Sequence, residues 1–327
     1  MTVKKKLLII HQGALGDFVL IFPAVIRLHR YFDEIDALCQ SGLGKLAESL
    51  GIVSSWHPLE SAPVATLFSD TIDPKIKAVL TSYKTIIVFT ISKRLEQNIR
   101  HLASVSVCCI PPKPPVRVRQ HLTEFVIEKL EDCGLITKMD SGGDKIFLHN
   151  RRIKAICTDQ ILIHPGAGST LKRWPISDFL EVAAKLEVDG MKPEFVLGPA
   201  EEDLSEILAN SDRIVHRFSD LLALAELLKS AAGYIGNDSG VSHLAAFIGL
   251  PTTAIFGPTD PERWAPLGRC VSIVGSELDC RPCFETAKDT CQDTKCLNQI
   301  TPQQVIQAFY RNYGKSTHRK PNIRQNL

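Results

Sequence analysis

The sequence has almost no net charge. Its 327 residues include 38 lysines and arginines against 36 aspartates and glutamates, which gives +2 at pH 7. A chain this balanced has no global field that would attract nucleic acid, so any electropositive surface has to be local. Hydrophobic residues (44%) and charged residues (23%) occur in the proportions of a soluble globular protein. The length suits two domains of ordinary size.

Membrane-spanning and export segments are also missing. No stretch approaches the roughly 20 apolar residues that a transmembrane helix needs. The lysines near the N-terminus precede a short apolar run, Leu7–Ile10, which His11, Gln12 and Gly13 interrupt without a small-residue cleavage site. We interpret this run as a first buried strand and expect a cytoplasmic protein.

Solenoid-type repeats are absent, and short apolar runs alternate instead with helical patterns. This alternation predicts an α/β fold whose parallel sheets are covered by helices on both faces. The predicted strands are 7–10, 36–39, 86–90, 105–108, 161–164, 194–197, 214–216, 234–235 and 252–256. The predicted helices are 18–31, 76–80, 94–103, 122–133, 178–187, 201–208, 221–229, 241–248 and 301–313.

The domain boundary is predicted from a polar interruption, KMDSGGDKIFLHNRRIKAICTDQ, at residues 138–160. Its Ser-Gly-Gly-Asp stretch and clustered charges are typical of a linker. We therefore expect one α/β domain at 1–155, a second at 156–300, and a final helix with a basic tail at 301–327. For the tail we favour a solvated end over a binding arm.

The ten cysteines fall into two groups. With no export signal, the scatter of the first six indicates mostly reduced, buried thiols. These six are Cys39, Cys108, Cys109, Cys133, Cys157 and Cys270. The other four lie in CRPCFETAKDTCQDTKC, as Cys280, Cys283, Cys291 and Cys296. A C-x-x-C followed by a loosely spaced pair is compatible with structural zinc, a disulfide or free thiols, and we favour the last two over zinc.

A first candidate site follows the first strand, in IIHQGALGDFVL. Gly13 and Gly16 permit a tight turn and a close approach of backbone to a ligand. Asp17 either caps the next helix or presents a carboxylate at the carboxyl edge of the sheet, where ligands bind in open α/β folds. The stretch lacks the G-x-G-x-x-G pattern, which argues against a dinucleotide-binding dehydrogenase.

A second candidate site is ILIHPGAGSTLKRWP, where a strand meets a loop of small residues that includes Ser169. Small residues followed by Lys172 suit an oxyanion such as phosphate, although no Walker A spacing can be drawn through this lysine. A solvated Lys172 is the alternative, and its neighbour Trp174 favours the ligand. Glu201 follows the next strand, where it is either a helix-start acid or a ligand contact.

A third candidate site is GNDSGVSHLAAFIGLPTTAIF, residues 236–256. Gly249 and Pro251 stop the helix that follows Ser239, so its free N–H groups and positive dipole end lie close to Ser239. His243 lies one turn further on the same face. A capping box is missing, because Ser242 rather than Glu stands three residues after Ser239. We favour anion binding over a simple cap.

All three sites lie at carboxyl ends of predicted strands, and together they predict a site for a nucleotide diphosphate.

Segment 93–121 is rich in lysine and arginine, with Glu96 as its one acid. It is either a solvated face with a proline-rich loop or a basic surface for an anionic acceptor.

These motifs occur in an order that resembles one known family. GALGD, HPGAGSTLKRWP, LGPAEED, GNDSGVSHLAAFIGLPTTAIFGPTDPERWAP and the cysteine-rich segment together resemble the lipopolysaccharide heptosyltransferases of glycosyltransferase family 9. The resemblance runs from about Lys6 to Phe309. It implies a GT-B fold, in which two Rossmann-like domains place their parallel sheets across a central cleft. It also implies inverting, metal-independent transfer of heptose from ADP-heptose to the lipopolysaccharide inner core.

The resemblance further implies roles for individual residues. Asp17 is expected to be the general base, within an acceptor-side loop that contains Gly13 and Gly16. The expected nucleotide-sugar-binding residues are Ser169, Lys172, Glu201, Asp238, Ser239, Gly240 and His243. The N-terminal domain is expected to bind the acceptor and the C-terminal domain the nucleotide sugar.

The expected partners are the donor, an anionic lipopolysaccharide acceptor and the inner membrane face, with no nucleic acid, no cofactor and a monomeric chain. Two alternatives stay open. One is a family relative with another nucleotide sugar or glycan acceptor, and the other is a catalytically degenerate nucleotide-sugar-binding protein.

Overall fold

The computed structural model describes residues 5–102, 105–137, 158–280, 282–286, 291 and 294–317, with only the backbone described for 314–317. The chain divides into two compact units, Met1–Phe147 and Leu148–Leu327. That division and the expected boundary near residue 155 both fall within residues 138–157, outside the described part of the chain.

The first unit is built on a five-stranded parallel sheet in the order β3-β2-β1-β4-β5. The strands are β1 Lys6–Ile10, β2 Glu34–Cys39, β3 Ser55–Pro58, β4 Thr85–Phe89 and β5 Ser106–Ile110. The helices are α1 Leu15–Leu28, α2 Ser41–Ser49, α3 Ala62–Ala65, α4 Pro74–Thr81, α5 Lys93–Leu102 and α6 Leu122–Asp132. The strand order reverses beside β1, where its neighbours β2 and β4 lie on opposite sides, and such switch points hold ligands in open α/β sheets.

The second unit is built on a six-stranded parallel sheet in the order β11-β10-β9-β6-β7-β8. The strands are β6 Gln160–His164, β7 Lys192–Leu197, β8 Val215–Arg217, β9 Gly233–Asn237, β10 Thr252–Phe256 and β11 Val271–Gly275. The helices are α7 Ile176–Val188, α8 Glu202–Ala209, α9 Leu221–Ser230, α10 Gly240–Ile248, α11 Pro261–Trp264, α12 Lys295–Asn298 and α13 Pro302–Thr317.

The two parallel sheets confirm the predicted fold class. Central strands such as β4, β9 and β10 are buried along their whole length, as expected for a sheet covered on both faces. Two edge strands, β3 and β11, were not predicted from the sequence, and neither were the helices α2, α3, α11 and α12. Both strands have a single neighbour and are only partly buried, so their apolar signal is weaker than that of the central strands.

The final helix α13 packs on the sheet of the second unit. Phe309 is fully buried, and its ring occupies the space beside Gly233, where a Cβ would lie 2.6 Å from it. At the start of the helix, Thr301 and Gln304 exchange hydrogen bonds in a reciprocal cap, which confirms the predicted start at Thr301 and Pro302. The basic tail lies outside the described residues.

One pair of cysteines departs from the expectation of reduced thiols. Cys108 on β5 and Cys133 after α6 are disulfide-bonded, with Cα atoms 6.0 Å apart. The positions of these cysteines along the sequence do not indicate the pair, because the fold brings together residues that are 25 positions apart. Cys157 lies outside the described residues.

Within the part of the chain that the structure describes, none of the four late cysteines forms a disulfide, and of the four Cys296 is buried. Over the described ranges, no group of three or more His, Cys, Asp or Glu residues is arranged to hold a metal ion.

None of the helices within the described ranges combines the length and apolar character needed to cross a bilayer.

We predict that Phe309→Ala lowers the free energy of unfolding of the second unit by about 3–5 kcal/mol, because it opens a cavity between α13 and the sheet. Gln307→Ala, at an exposed position of the same helix, is the matched control and should change it by less than about 0.5 kcal/mol. Denaturant unfolding of both variants measures the difference. Equal stabilities would contradict the packing described for α13.

Candidate active site

In the first unit, the turn from β1 to α1 carries Asp17. Helix α1 begins at Leu15 with Ala14 at its N-cap, and Asp17 is the acidic residue of its first turn. The interpretation of Asp17 as a helix cap is therefore wrong. Its carboxylate is half-buried at the carboxyl edge of the sheet, near the reversal of strand order.

His11 supports this turn and was missed as a functional candidate. Its Nδ1 accepts a hydrogen bond from the backbone N–H of Gly13 at 3.2 Å. The ring lies 5.0 Å from that of Phe18 and 5.2 Å from that of Phe89, between centroids. Burial lowers the pKa of His11 to about 4, so the imidazole is neutral at pH 7 and can accept this bond.

Gly13 is required where it stands. A Cβ at this position would lie 2.7 Å from Cε1 of His11 and 2.9 Å from Cβ of Asp17. Gly16 is the second residue of α1. The structure thus brings His11, Gly13, Gly16 and Asp17 together in one turn of the first unit.

In the second unit, the remaining candidates gather at the carboxyl ends of β6, β7 and β9. These strands are neighbours in the sheet, so the segments that follow them emerge side by side. The loop after β6 contains Ser169 and Lys172, Glu201 follows β7, and Asp238 and Ser239 follow β9.

Asn237, the last residue of β9, holds the loop after β6 in place. Its Oδ1 accepts from the backbone N–H of Trp174 at 3.0 Å, and its Nδ2 donates to the carbonyl of Pro165 at 2.8 Å. The indole of Trp174 is buried and donates to the carbonyl of Ile300 at 3.0 Å. The sequence alone gives Asn237 no role, because its partners lie far away along the chain.

Lys172 is held in the site rather than solvated. Its Nζ donates to Oδ2 of Asp238 at 3.0 Å, and its side chain is only 20% exposed. The same Asp238 oxygen accepts from the buried hydroxyl of Thr259 at 2.7 Å. Thr259 lies in the loop after β10 and was also missed.

The start of α10 settles which residue caps the helix. Ser239 is the N-cap, and its Oγ accepts from the backbone N–H of Ser242 at 3.4 Å. Asp238 does not cap, because Lys172 and Thr259 occupy its carboxylate. His243 is buried one turn further on, and its Nε2 lies 3.9 Å from Oδ1 of Asp238. Gly240 is the first residue of the helix.

Glu201 is buried against the loop after β6. Its Oε2 accepts from the backbone N–H of Gly198 at 2.7 Å. A Cβ on Gly166 would lie 2.3 Å from Oε1 of Glu201, so the carboxylate and the loop backbone touch. Ser169 caps the short turn Thr170–Lys172, where its Oγ accepts from the backbone N–H of Leu171 at 3.3 Å.

This arrangement is suited to an anion. The ammonium of Lys172 and the N-terminus of α10 meet at Asp238, beside the small-residue loop. An ammonium, free backbone N–H groups and the positive end of a helix dipole all favour a bound phosphate.

The fold of the chain is similar to that of several solved glycosyltransferases. A glycosyltransferase family 9 structure from Veillonella parvula superposes with a TM-score of 0.74 at 18% identity, covering 96% of this chain and 99% of that one. The Escherichia coli ADP-heptose lipopolysaccharide heptosyltransferase II superposes with 0.71 at 19% identity, covering 95% and 99%. An iron-containing dodecameric glycosyltransferase from enterotoxigenic E. coli superposes with 0.60 at 14% identity, covering 94% and 76%.

Sequence comparison finds similarity to one family. Residues 144–292 match the model for glycosyltransferase family 9 (heptosyltransferase). Lipopolysaccharide heptosyltransferase 1 of Pseudomonas aeruginosa is 29% identical over 44% of this chain and 45% of its own length. Lipooligosaccharide heptosyltransferase 2 of Campylobacter jejuni is 30% identical over 48% and 51%. Lipopolysaccharide heptosyltransferase 3 of E. coli is 24% identical over 77% and 82%. The match to glycosyltransferase family 9 covers residues 144–292 alone, and the chain spans about half the length of the first two relatives.

We predict that Gly166→Ala displaces the carboxylate of Glu201 and destabilises the second unit by about 1–3 kcal/mol, because the added methyl has no space. Gly168→Ala, two residues on in the same loop, is the control, since nothing lies within 4 Å of its added Cβ. Thermal unfolding of the two variants measures the difference. Two variants of equal stability would show that the contact between Gly166 and Glu201 is not tight.

Proposed function

We propose that this protein transfers heptose from ADP-heptose to an inner-core lipopolysaccharide acceptor, with inversion and without a metal. The observation that carries the proposal is the cluster of Lys172, Asp238 and the N-terminus of α10, which lies within the segment that matches the family model. The relatives named as heptosyltransferases support the sugar and the acceptor.

On the donor side, the leaving group is the ADP diphosphate. Negative charge grows on it as the bond to the sugar breaks. Lys172, the backbone N–H groups at Ser239 and Gly240 and the dipole of α10 stabilise that charge where it develops. His243, beside Asp238, is a further phosphate contact in this proposal, and Glu201 contacts the nucleoside.

Asp238 keeps the expected contact with the sugar and gains a second role in this proposal. A carboxylate that already accepts from Lys172 and Thr259 would repel a phosphate if it faced one directly. We assign it to hold the ammonium of Lys172 in position and to contact the hydroxyls of the sugar.

On the acceptor side, Asp17 is the proposed general base. It removes the proton of the acceptor hydroxyl as that oxygen attacks the anomeric carbon. A carboxylate is a weak base toward an alcohol. The proton therefore transfers late, when the hydroxyl has already become acidic through bond formation. His11 and Gly13 fix the turn that presents the carboxylate.

The proposal needs no metal, because Lys172 and the helix N-terminus meet the charge that a metal ion would otherwise neutralise. We further propose that the first domain binds the acceptor and the second the donor. Arg117 and Arg119 are exposed on the loop after β5, where they suit the anionic groups of the acceptor. We also propose that the protein is a cytoplasmic monomer that contacts the inner membrane peripherally.

A panel of nucleotide sugars tests the donor. We predict that ADP-heptose raises the melting temperature of the protein more than UDP-, GDP- or other ADP-sugars, since a ligand that binds the folded state stabilises it. A clear preference for a UDP- or GDP-sugar would contradict the ADP-heptose assignment. Donor binding without transfer to any lipopolysaccharide acceptor would favour a catalytically degenerate binding protein.

We predict that Asp17→Asn lowers kcat by about 100-fold or more while the Kd for ADP stays unchanged, because removal of a general base costs this much. Glu124→Gln is the matched control, since Glu124 is an exposed acid in the first turn of α6 in the same unit. Steady-state transfer and ADP titration measure both effects. Near-normal turnover of the Asn variant would exclude Asp17 as the base.

A further inference from the structure

We propose that Phe284, from the cysteine-rich segment, positions Lys172 for the donor diphosphate and makes residues 282–286 a wall of the donor site. The inference rests on the proposed function of Lys172 as a diphosphate contact. The segment was singled out in the sequence for its cysteines, and neither the family motifs nor the proposed mechanism gives its aromatic residue a role.

The contact itself is direct. Nζ of Lys172 lies 4.7 Å from the centroid of the Phe284 ring. A cation within about 6 Å of an aromatic centroid is attracted by the negative face of the ring. The ammonium therefore has two partners within the protein, the carboxylate of Asp238 and the ring of Phe284.

Both partners are supported by the same loop. The backbone N–H groups of Cys283 and Phe284 donate to the carbonyl of Pro258, at 2.9 and 3.0 Å. The next residue, Thr259, donates its hydroxyl to Asp238 at 2.7 Å. The loop after β10 thus fixes the ring and the carboxylate relative to each other.

An ion pair between Glu285 and Arg263 also holds the segment in place. Oε2 of Glu285 lies 2.9 Å from Nε of Arg263, whose side chain is 2% exposed. Arg263 lies on α11, in the connection between β10 and β11 that also contains Pro258. The segment from Cys283 to Thr286 is therefore attached to the sheet of the second unit beside Lys172.

The ring of Phe284 restrains the ammonium of Lys172 without neutralising it, which the carboxylate of Asp238 cannot do. A carboxylate neutralises the ammonium and competes with an incoming phosphate for it. An aromatic face restrains the ammonium without carrying a net charge, so Lys172 keeps its attraction for the diphosphate. Loss of the ring should leave Lys172 closer to Asp238 or more mobile, and in either case less effective toward phosphate.

The test compares ligands with and without the diphosphate. We predict that Phe284→Leu raises the Kd for ADP about three- to tenfold and leaves the Kd for adenosine unchanged, because only the diphosphate reaches Lys172. Phe284→Tyr, which keeps the aromatic face, should bind ADP like the wild type. Phe68→Leu, at an exposed phenylalanine of the first unit, is the matched control.

A double-mutant cycle separates positioning from a structural role. In a Lys172→Met background, Phe284→Leu should have no further effect on ADP binding. Pentafluorophenylalanine at position 284 keeps the shape of the ring but reverses its quadrupole, and it should weaken ADP binding as Phe284→Leu does. It serves as the second variant if Phe284→Leu does not fold.

Three results would overturn the inference: wild-type ADP affinity in Phe284→Leu, an equal loss of adenosine affinity, or additive effects with Lys172→Met. The proposed function is tested separately in the same titrations by the wild type. Wild-type protein that binds UDP or GDP in place of ADP would contradict the ADP donor. The variants, titrated with that diphosphate, would still test the contact between Lys172 and Phe284.

Discussion

The arrangement of the second unit depends on a buried carboxylate at the end of β9. Asp238 is only 5% exposed, and a charge removed from water needs close partners of opposite charge or strong hydrogen-bond donors. Lys172 and Thr259 meet this requirement from two different loops. Because the carboxylate has to be satisfied, the loop after β6 and the loop after β10 are both drawn to the start of α10. The proposed anion site is a consequence of how this one charge is neutralised.

Asn237, the residue before Asp238, complements this charge with neutral hydrogen bonds. It fixes the backbone of the loop after β6 at both ends, through Pro165 and Trp174. Asn237 at the end of β9 thus fixes the backbone of this loop, and Asp238, the next residue, fixes the position of Lys172. The first unit uses a similar device at its own sheet edge, where neutral His11 restrains the turn that carries Asp17. In both units, polar side chains at strand ends set the geometry before any ligand arrives.

Much of the fold was predictable because its central strands are continuous apolar runs and its helices carry clear stop signals, as at Gly249. The edge strands β3 and β11 were not, since partial exposure removes that signal. For the site, spacing was enough to place Ser239 at a helix N-terminus and His243 one turn later. It was not enough to pair Lys172 with Asp238, which lie 66 residues apart. Whether Asp17 caps α1 or presents a carboxylate at the sheet edge depends on where the helix begins. The helix begins at Leu15, a few residues before the predicted start at residue 18. Contacts between distant segments, such as Phe284 with Lys172, leave no local pattern in the sequence.

The buried position of Trp174 has a spectroscopic consequence. The indole lies two residues from Lys172, with its ring centroid 4.9 Å from that of Phe179 and its N–H on the carbonyl of Ile300. It is one of three tryptophans in the chain, and Trp56 belongs to the other unit. We expect occupancy of the proposed anion site to change the surroundings of this native fluorophore. The intrinsic emission of the second unit, to which Trp264 also contributes, would then report on the site without an attached label.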